Sequence, residues 1–151
     1  MRQQPQLVTT CQQMQQIVTR LRSGAQRIGL VPTMGALHDG HLSLVQAAQD
    51  QCDYVIVTIF VNPTQFAPDE DLSKYPRMLE DDLHRLEAFH VDLVFAPPEE
   101  EIYPAGLSTP MKLPAVAQPW EGVHRPHHFA GVVTVVDKLF NTIPEIGRAH
   151  V

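Results

Sequence analysis

The chain has 151 residues, enough for one ordinary domain, with 44% hydrophobic and 19% charged residues, a balance that supports a real core and excludes wholesale disorder. A formal charge of −6, with eight histidines counted neutral, argues against a nucleic-acid backbone as partner but leaves room for a small anion in a locally opposed pocket. Two cysteines, Cys11 and Cys52, make no disulfide framework or metal-ligand spacing, and neither a leader-like apolar segment nor a membrane-length run occurs, so the expected compartment is the cytoplasm.

Apolar runs alternate with helical patterns, which predicts an α/β fold built on a parallel sheet with right-handed crossovers. The segment TCQQMQQIVTRLRSG opens on Thr10 as a helix cap, carries Met14, Ile17, Val18 and Leu21 at helical spacing, and stops at Gly24. RIGLVP (27–32) reads as a short buried strand, and HLSLVQAAQD (41–50) as the helix after it, with Leu42 and Val45 on one side and Leu44 and Ala48 beside them. CDYVIVTIFV (52–61) is the nearly continuous β-branched and aromatic run expected of a strand buried on both faces. MLEDDLHRLEAFH (78–90) predicts an amphipathic helix, and VDLVFAP (91–97) the next strand.

Seven of the thirteen prolines fall between Pro97 and Pro126, which predicts a long, mostly irregular excursion with one short strand around Met111–Leu113. The last helix is expected over 129–143, with Val132, Val135, Val136, Leu139 and Phe140 on one face. The carboxylates of PDED (68–71) and EDD (80–82) read mostly as solvated loop or helix-face charges.

The turn between the first long strand and its helix, LVPTMGALHDGH, carries the chemistry. In a doubly wound sheet the carboxyl ends of strands form the ligand crevice, and a helix starting near Gly40 presents free N–H groups and a positive dipole end there. Gly35 and Gly40 remove side chains where the chain turns and where a phosphate or base would approach. His38 and His41 lie one helical turn apart and can stabilise charge building on a phosphate or protonate a departing pyrophosphate. The pattern is that of a nucleoside triphosphate cradle without a Walker-type lysine; a histidine helix cap is the plainer alternative.

PTMGALHDGH (32–41) carries the His-x-Gly-His signature of the HIGH-motif nucleotidyltransferase superfamily that includes class I aminoacyl-tRNA synthetases. Together with TIFVNPTQF (58–66), EDLSKYPR (70–77), VDLVFAPPEEEIYP (91–104) and GVHRPHHFAGVVTVVDKLFN (122–141), in that order, the chain resembles the pantothenate synthetase (pantoate–β-alanine ligase) family from its first helix to about Pro144. The resemblance implies a Rossmann-like nucleotide-binding domain over 1–144. It also implies ATP-dependent joining of pantoate to β-alanine through a pantoyl adenylate, with Mg2+ accompanying ATP, and a cytoplasmic homodimer.

By motif, Met34, Gly35, Ala36, Leu37, His38, Asp39, Gly40 and His41 line the ATP site, with His38 and His41 catalytic and His41 the proton donor. Gln65 and Asn62 would contact pantoate and β-alanine, and Arg125 and His128 are further candidates. The family's RPGHF reads RPHHF here, so His127 stands where a glycine is expected. His124, His127 and His128 lack a cysteine or second ligand pair, so no zinc site is expected and no protein ligand is assigned to Mg2+.

The family's downstream GEKD-x-Q segment and its serine–arginine counterpart of the KMSKS loop do not occur in these 151 residues, about half the family's usual length. The expectation is a domain lacking its last sheet strands and a smaller C-terminal domain, with impaired turnover or only nucleotide binding or dimerisation. Another small-molecule nucleotidyltransferase is the remaining enzyme reading. EIGRAHV at 145–151 matches the translation of a widely used sequencing adaptor, so a non-native tail is expected there. Re-amplification of the locus from genomic DNA checks this: the expected product diverges from the chain after Pro144, and the same ending in the source refutes the idea.

Overall fold

The computed structural model describes residues 3–63, 78–106, 128–143 and 148–149, the side chains of 128–130 and 148–149 apart. Along these residues the order is β1 (Gln6–Val8), α1 (Cys11–Ser23), β2 (Ile28–Thr33), α2 (Asp39–Gln51), β3 (Tyr54–Ile59), α3 (Leu79–Glu87), β4 (Leu93–Phe95), α4 (Glu99–Ile102), α5 (His128–Thr142) and β5 (Arg148–Ala149). The strands form one sheet in the order β1-β4-β3-β2-β5, and every neighbouring pair is parallel. The central pair runs in register from Ile28 opposite Tyr54 to Thr33 opposite Ile59.

Alternation along these strands sorts side chains to two cores. Leu30, Ile56, Leu93 and Phe95 point to the face covered by α1 and α5, where they meet Met14, Ile17, Val18, Val135 and Leu139. Val31, Val55, Val57 and Val94 point to the face covered by α2 and α3, meeting Val45, Ala48 and Leu86. The runs read as doubly buried strands are therefore the middle of a helix–sheet–helix sandwich. Gly29 lets α2 lie close on β2, since a Cβ there would sit 3.1 Å from both Ala48 Cβ and Cys52 Sγ.

α1 begins and ends as its sequence implies: Thr10 Oγ1 accepts from the Gln13 N–H at 3.3 Å, and the Gly24 N–H closes on Arg20 and Leu21 carbonyls. α5 departs from expectation in its facing. Phe140, placed on the apolar stripe, is 38% exposed, while Thr134 and Thr142 turn inward. Thr142 fits because its Oγ1 donates to the Lys138 carbonyl, so its hydroxyl is satisfied inside the helix.

Three short elements were not foreseen: β1, α4 and β5. β1 adds to the edge of β4 from Gln6 opposite Leu93 to Val8 opposite Phe95. Within the stretch read as a non-native tail, Arg148 and Ala149 pair with Gly29 and Leu30 of β2. The strand expected around Met111–Leu113 and the PDED carboxylates lie outside the described residues.

The two-core arrangement predicts very unequal costs along the sheet. Phe95→Ala, at a fully buried position, is expected to lower stability by about 3–5 kcal/mol in urea unfolding. Leu7→Ala, on the exposed edge strand, is expected to change it by no more than about 0.5 kcal/mol.

Candidate active site

β2, β3 and β4 end on the same side of the sheet, and their exits surround a cleft of about 230 Å³ lined by Met34, Gly35, Phe60, Pro63, Asp82 and Pro97, among others. The β2 exit is the most constrained. Gly35 and Ala36 both have left-handed backbones, with φ of 83° and 51°. A Cβ on Gly35 would meet Asp82 Oδ2 and Ile59 Cγ2, each at 3.1 Å, so glycine is required there by conformation and by space.

The N–H groups freed by this turn are individually satisfied. Gly35 donates to Thr33 Oγ1 at 3.1 Å, and Thr33 Oγ1 in turn donates to the Thr58 carbonyl at 2.8 Å. Ala36 and Leu37 donate to the two oxygens of Asp82, at 2.9 Å to Oδ2 and 2.8 Å to Oδ1. Asp82 is only 2% exposed. The reading of EDD as solvated charge is thus wrong for its third residue, because a carboxylate on α3 faces inward across 45 residues of sequence to bind the turn. No local spacing signals such a pairing.

His38 and His41 close the turn as a reciprocal cap on α2. The Gly40 N–H donates to His38 Nδ1 at 3.1 Å, and the His38 N–H donates to His41 Nδ1 at 3.2 Å. Their rings lie 4.0 Å apart between centroids, tilted by 35°. Both readings of these histidines therefore hold geometrically: one is a helix cap, and the two stand together at the helix N-terminus. Gly40 is bound to this arrangement, since a Cβ there would fall 2.8 Å from His38 Cε1. Asp39 and Gly40 are exposed in the first turn, and Leu37 anchors the loop in the core beneath α2.

The cap assigns the protons. An Nδ1 that accepts from a main-chain N–H carries no proton, so each neutral imidazole holds its proton on Nε2. Burial, and next the neighbouring His38, lower the His41 pKa below the ordinary 6.5, with the Asp82 charge opposing. The site is thus two N–H donors beside a helix N-terminus, a constellation that complements anionic oxygens.

Asn62, at the β3 exit, has no exposed surface. Its Nδ2 donates to the Gly131 carbonyl at 3.0 Å, and its Oδ1 accepts from Tyr103 Oη at 2.7 Å. The structure thus makes it a tie between β3, α4 and α5. Gln65, Arg125 and His127 lie outside the described residues, as does the His128 side chain.

A parallel sheet whose β2–α2 turn carries this histidine pair is the nucleotide-binding fold of the HIGH-motif nucleotidyltransferases. The sequence model of the family described as pantoate-beta-alanine ligase matches residues 6–146, and the chain belongs to that family. A pantothenate synthetase of Rhodopirellula baltica is 58% identical over 124 residues, covering 80% of this chain and 44% of that protein. The crystal structure of pantothenate synthetase from Thermus thermophilus superposes with a TM-score of 0.86 at 43% identity, over 95% of this chain and 50% of the other. A pantoate-β-alanine ligase from Francisella tularensis, complexed with beta-gamma ATP and β-alanine, gives 0.86 at 42% identity over 92% of this chain and 53% of its own. The chain therefore spans about half the length of these relatives.

The lowered His41 pKa gives a signed pH dependence. As pH falls below 6.5, the unfolded chain takes up this proton before the folded one, so stability is lost until the folded value is passed. Urea midpoints measured from about pH 7.5 to 5 are expected to fall, and His41→Gln to remove part of that slope. A slope unchanged by the substitution refutes the assignment.

Proposed function

We propose that the chain binds ATP at the Met34–His41 turn and supplies the phosphate-activating half of a pantoate–β-alanine ligase. The observation that carries this reading is the pair of Nε2–H imidazoles beside the α2 N-terminus, at the carboxyl edge of a parallel sheet. The likeness to the Francisella ligase complexed with beta-gamma ATP and β-alanine supports it.

In the first step pantoate's carboxylate oxygen attacks the α-phosphorus of ATP, the bond to the bridging oxygen breaks, and pyrophosphate leaves. His38 and His41 donate hydrogen bonds to the phosphate oxygens, and His41 offers its Nε2–H as a hydrogen bond to the departing pyrophosphate, whose charge solvent and the counter-ion neutralise. In the second step the amine of β-alanine attacks the acyl carbon of pantoyl adenylate, the carbon–oxygen bond to AMP breaks, and the amine's proton is lost to solvent. Gln65 is assigned to pantoate and β-alanine, and Arg125 and His128 to supporting contacts. Asn62 acts from below the site by holding the β3 exit against α4 and α5.

Mg2+ enters with ATP as a counter-charge to the phosphates. In this reading phosphate and water oxygens are its ligands, and no protein ligand is assigned. Among the described residues no helix is long and apolar enough to cross a membrane. A cytoplasmic homodimer acting on small molecules, with no nucleic-acid partner, completes the proposal. Because the chain spans about half of its relatives, a nucleotide-binding part without turnover of its own is the second reading.

Equilibrium ATP binding and pantoate-dependent exchange between ATP and labelled pyrophosphate test this on the 151-residue chain. ATP binding is expected, weakened about tenfold or more in His41→Ala, the weight of one hydrogen bond to a charged group. Exchange that needs pantoate and disappears in the variant supports the ligase reading, and binding without exchange selects the second. A folded chain that binds no nucleotide overturns both, and exchange driven by other carboxylic acids without pantoate points to a different nucleotidyltransferase.

A further inference from the structure

Asp82 is absorbed by none of the roles above, yet it is the described residue that reaches furthest in sequence to the motif turn. Its carboxylate lies on the wall of the 230 Å³ cleft beside Met34 and Gly35. A negative charge is costly next to a polyphosphate, so a merely space-filling role would be served better by a neutral side chain. What a carboxylate supplies and an amide cannot is acceptance at both oxygens. Ala36 and Leu37 use both, and their N–H groups point the same way only because Ala36 holds a left-handed backbone.

We propose that Asp82 is the positioning residue of this site: from α3 its carboxylate holds the Gly35–Leu37 turn in the conformation that aims the α2 N-terminus and His41 at an anion. The chain of contacts is continuous. The carboxylate binds the Ala36 and Leu37 N–H groups, the next residue is the His38 cap, and the His38 N–H fixes His41 through Nδ1. Asp82 therefore acts without touching substrate, through the backbone from which both imidazoles hang. Its charge also faces His41, with His38 the other ionisable neighbour acting on that ring.

The proposal rests on the nucleotide reading for its effect on binding, but half of its test needs no ligand. Asp82→Asn keeps the shape and one acceptor and removes the second acceptor and the charge. In that variant the Ala36, Leu37 and His38 amide protons are expected to exchange faster with solvent, and the His41 ring protons to titrate at lower pH than in the parent chain, both followed by NMR. ATP affinity is expected to fall about tenfold, while Glu80→Gln, which removes the same charge from an exposed position of α3, leaves these readouts where they were.

Should Asp82→Asn fail to fold, the double variant Asp82→Asn/Ala36→Gly relieves the left-handed residue and restores a folded chain for the same measurements. A folded variant that keeps the parent's amide exchange at Ala36, Leu37 and His38 and binds ATP within about twofold of the parent overturns the proposal. A parent chain that binds no ATP overturns the nucleotide reading alone. Amide hydrogen exchange at Ala36, Leu37 and His38 then decides whether Asp82 positions the turn, because loss of its charge lowers the His41 titration even in an unmoved turn.

Discussion

The chain leaves β2 and enters α2 within five residues, Met34 to His38, and those residues must satisfy their N–H groups inside the protein or at its surface. Thr33, Asp82 and His41 each accept one or two of those groups, and His38 accepts the Gly40 N–H just beyond them. Two consecutive left-handed residues are the conformational cost of turning so tightly, about 1–2 kcal/mol for the alanine alone. Hydrogen bonds to a buried carboxylate, each contributing about 1.5–3 kcal/mol, outweigh it. The β-sheet supports this arrangement from beneath, since Ile59 and Thr58 of the neighbouring strand touch Gly35 and Thr33.

This turn explains why α3 belongs to the site although it carries no motif. Leu86 packs the helix into the core beneath α2, and Asp82, one turn earlier on the same side, is thereby delivered to the backbone of the β2 exit. Asn62 does a comparable job on the opposite face, joining the β3 exit to Tyr103 and Gly131. Two of the strand exits that bound the cleft, those of β2 and β3, are each tied to a helix, so its shape is inherited from both cores.

What could be read from residue order follows the range of the interaction involved. Thr10 and Gly24 bound α1 because capping acts over three or four residues, and β3 is legible because six consecutive residues are apolar or β-branched. The His38–His41 pair is legible for the same reason: its spacing is one helical turn. The inward carboxylate of Asp82 and the ties of Asn62 were not legible because their partners lie 45 and 69 residues away, and a carboxylate in EDD looks identical whether it faces water or a turn. β1 and α4 are three and four residues long and owe their form to neighbours: β1 to pairing with β4, α4 to the bond between Glu101 and the first residue of α1. Phe140 shows the converse limit, a helical stripe drawn one residue too wide.

The cap also restricts which chemistry the two histidines can perform. With Nδ1 of each ring accepting from the main chain, only Nε2 is left to face outward, and in the neutral ring that nitrogen holds the proton. A general base needs a bare nitrogen directed at substrate, which this cap withholds as long as it is closed. A fully protonated imidazolium needs a second proton at Nδ1, which would confront a main-chain N–H and dismantle the helix start. The stable state in between is a neutral donor, suited to anionic oxygens and able to release its proton only if Nδ1 or a partner takes up the charge. Burial and the neighbouring His38 lower the affinity of His41 for a second proton in the same direction, so the turn presents hydrogen-bond donors, not bases, to whatever approaches it.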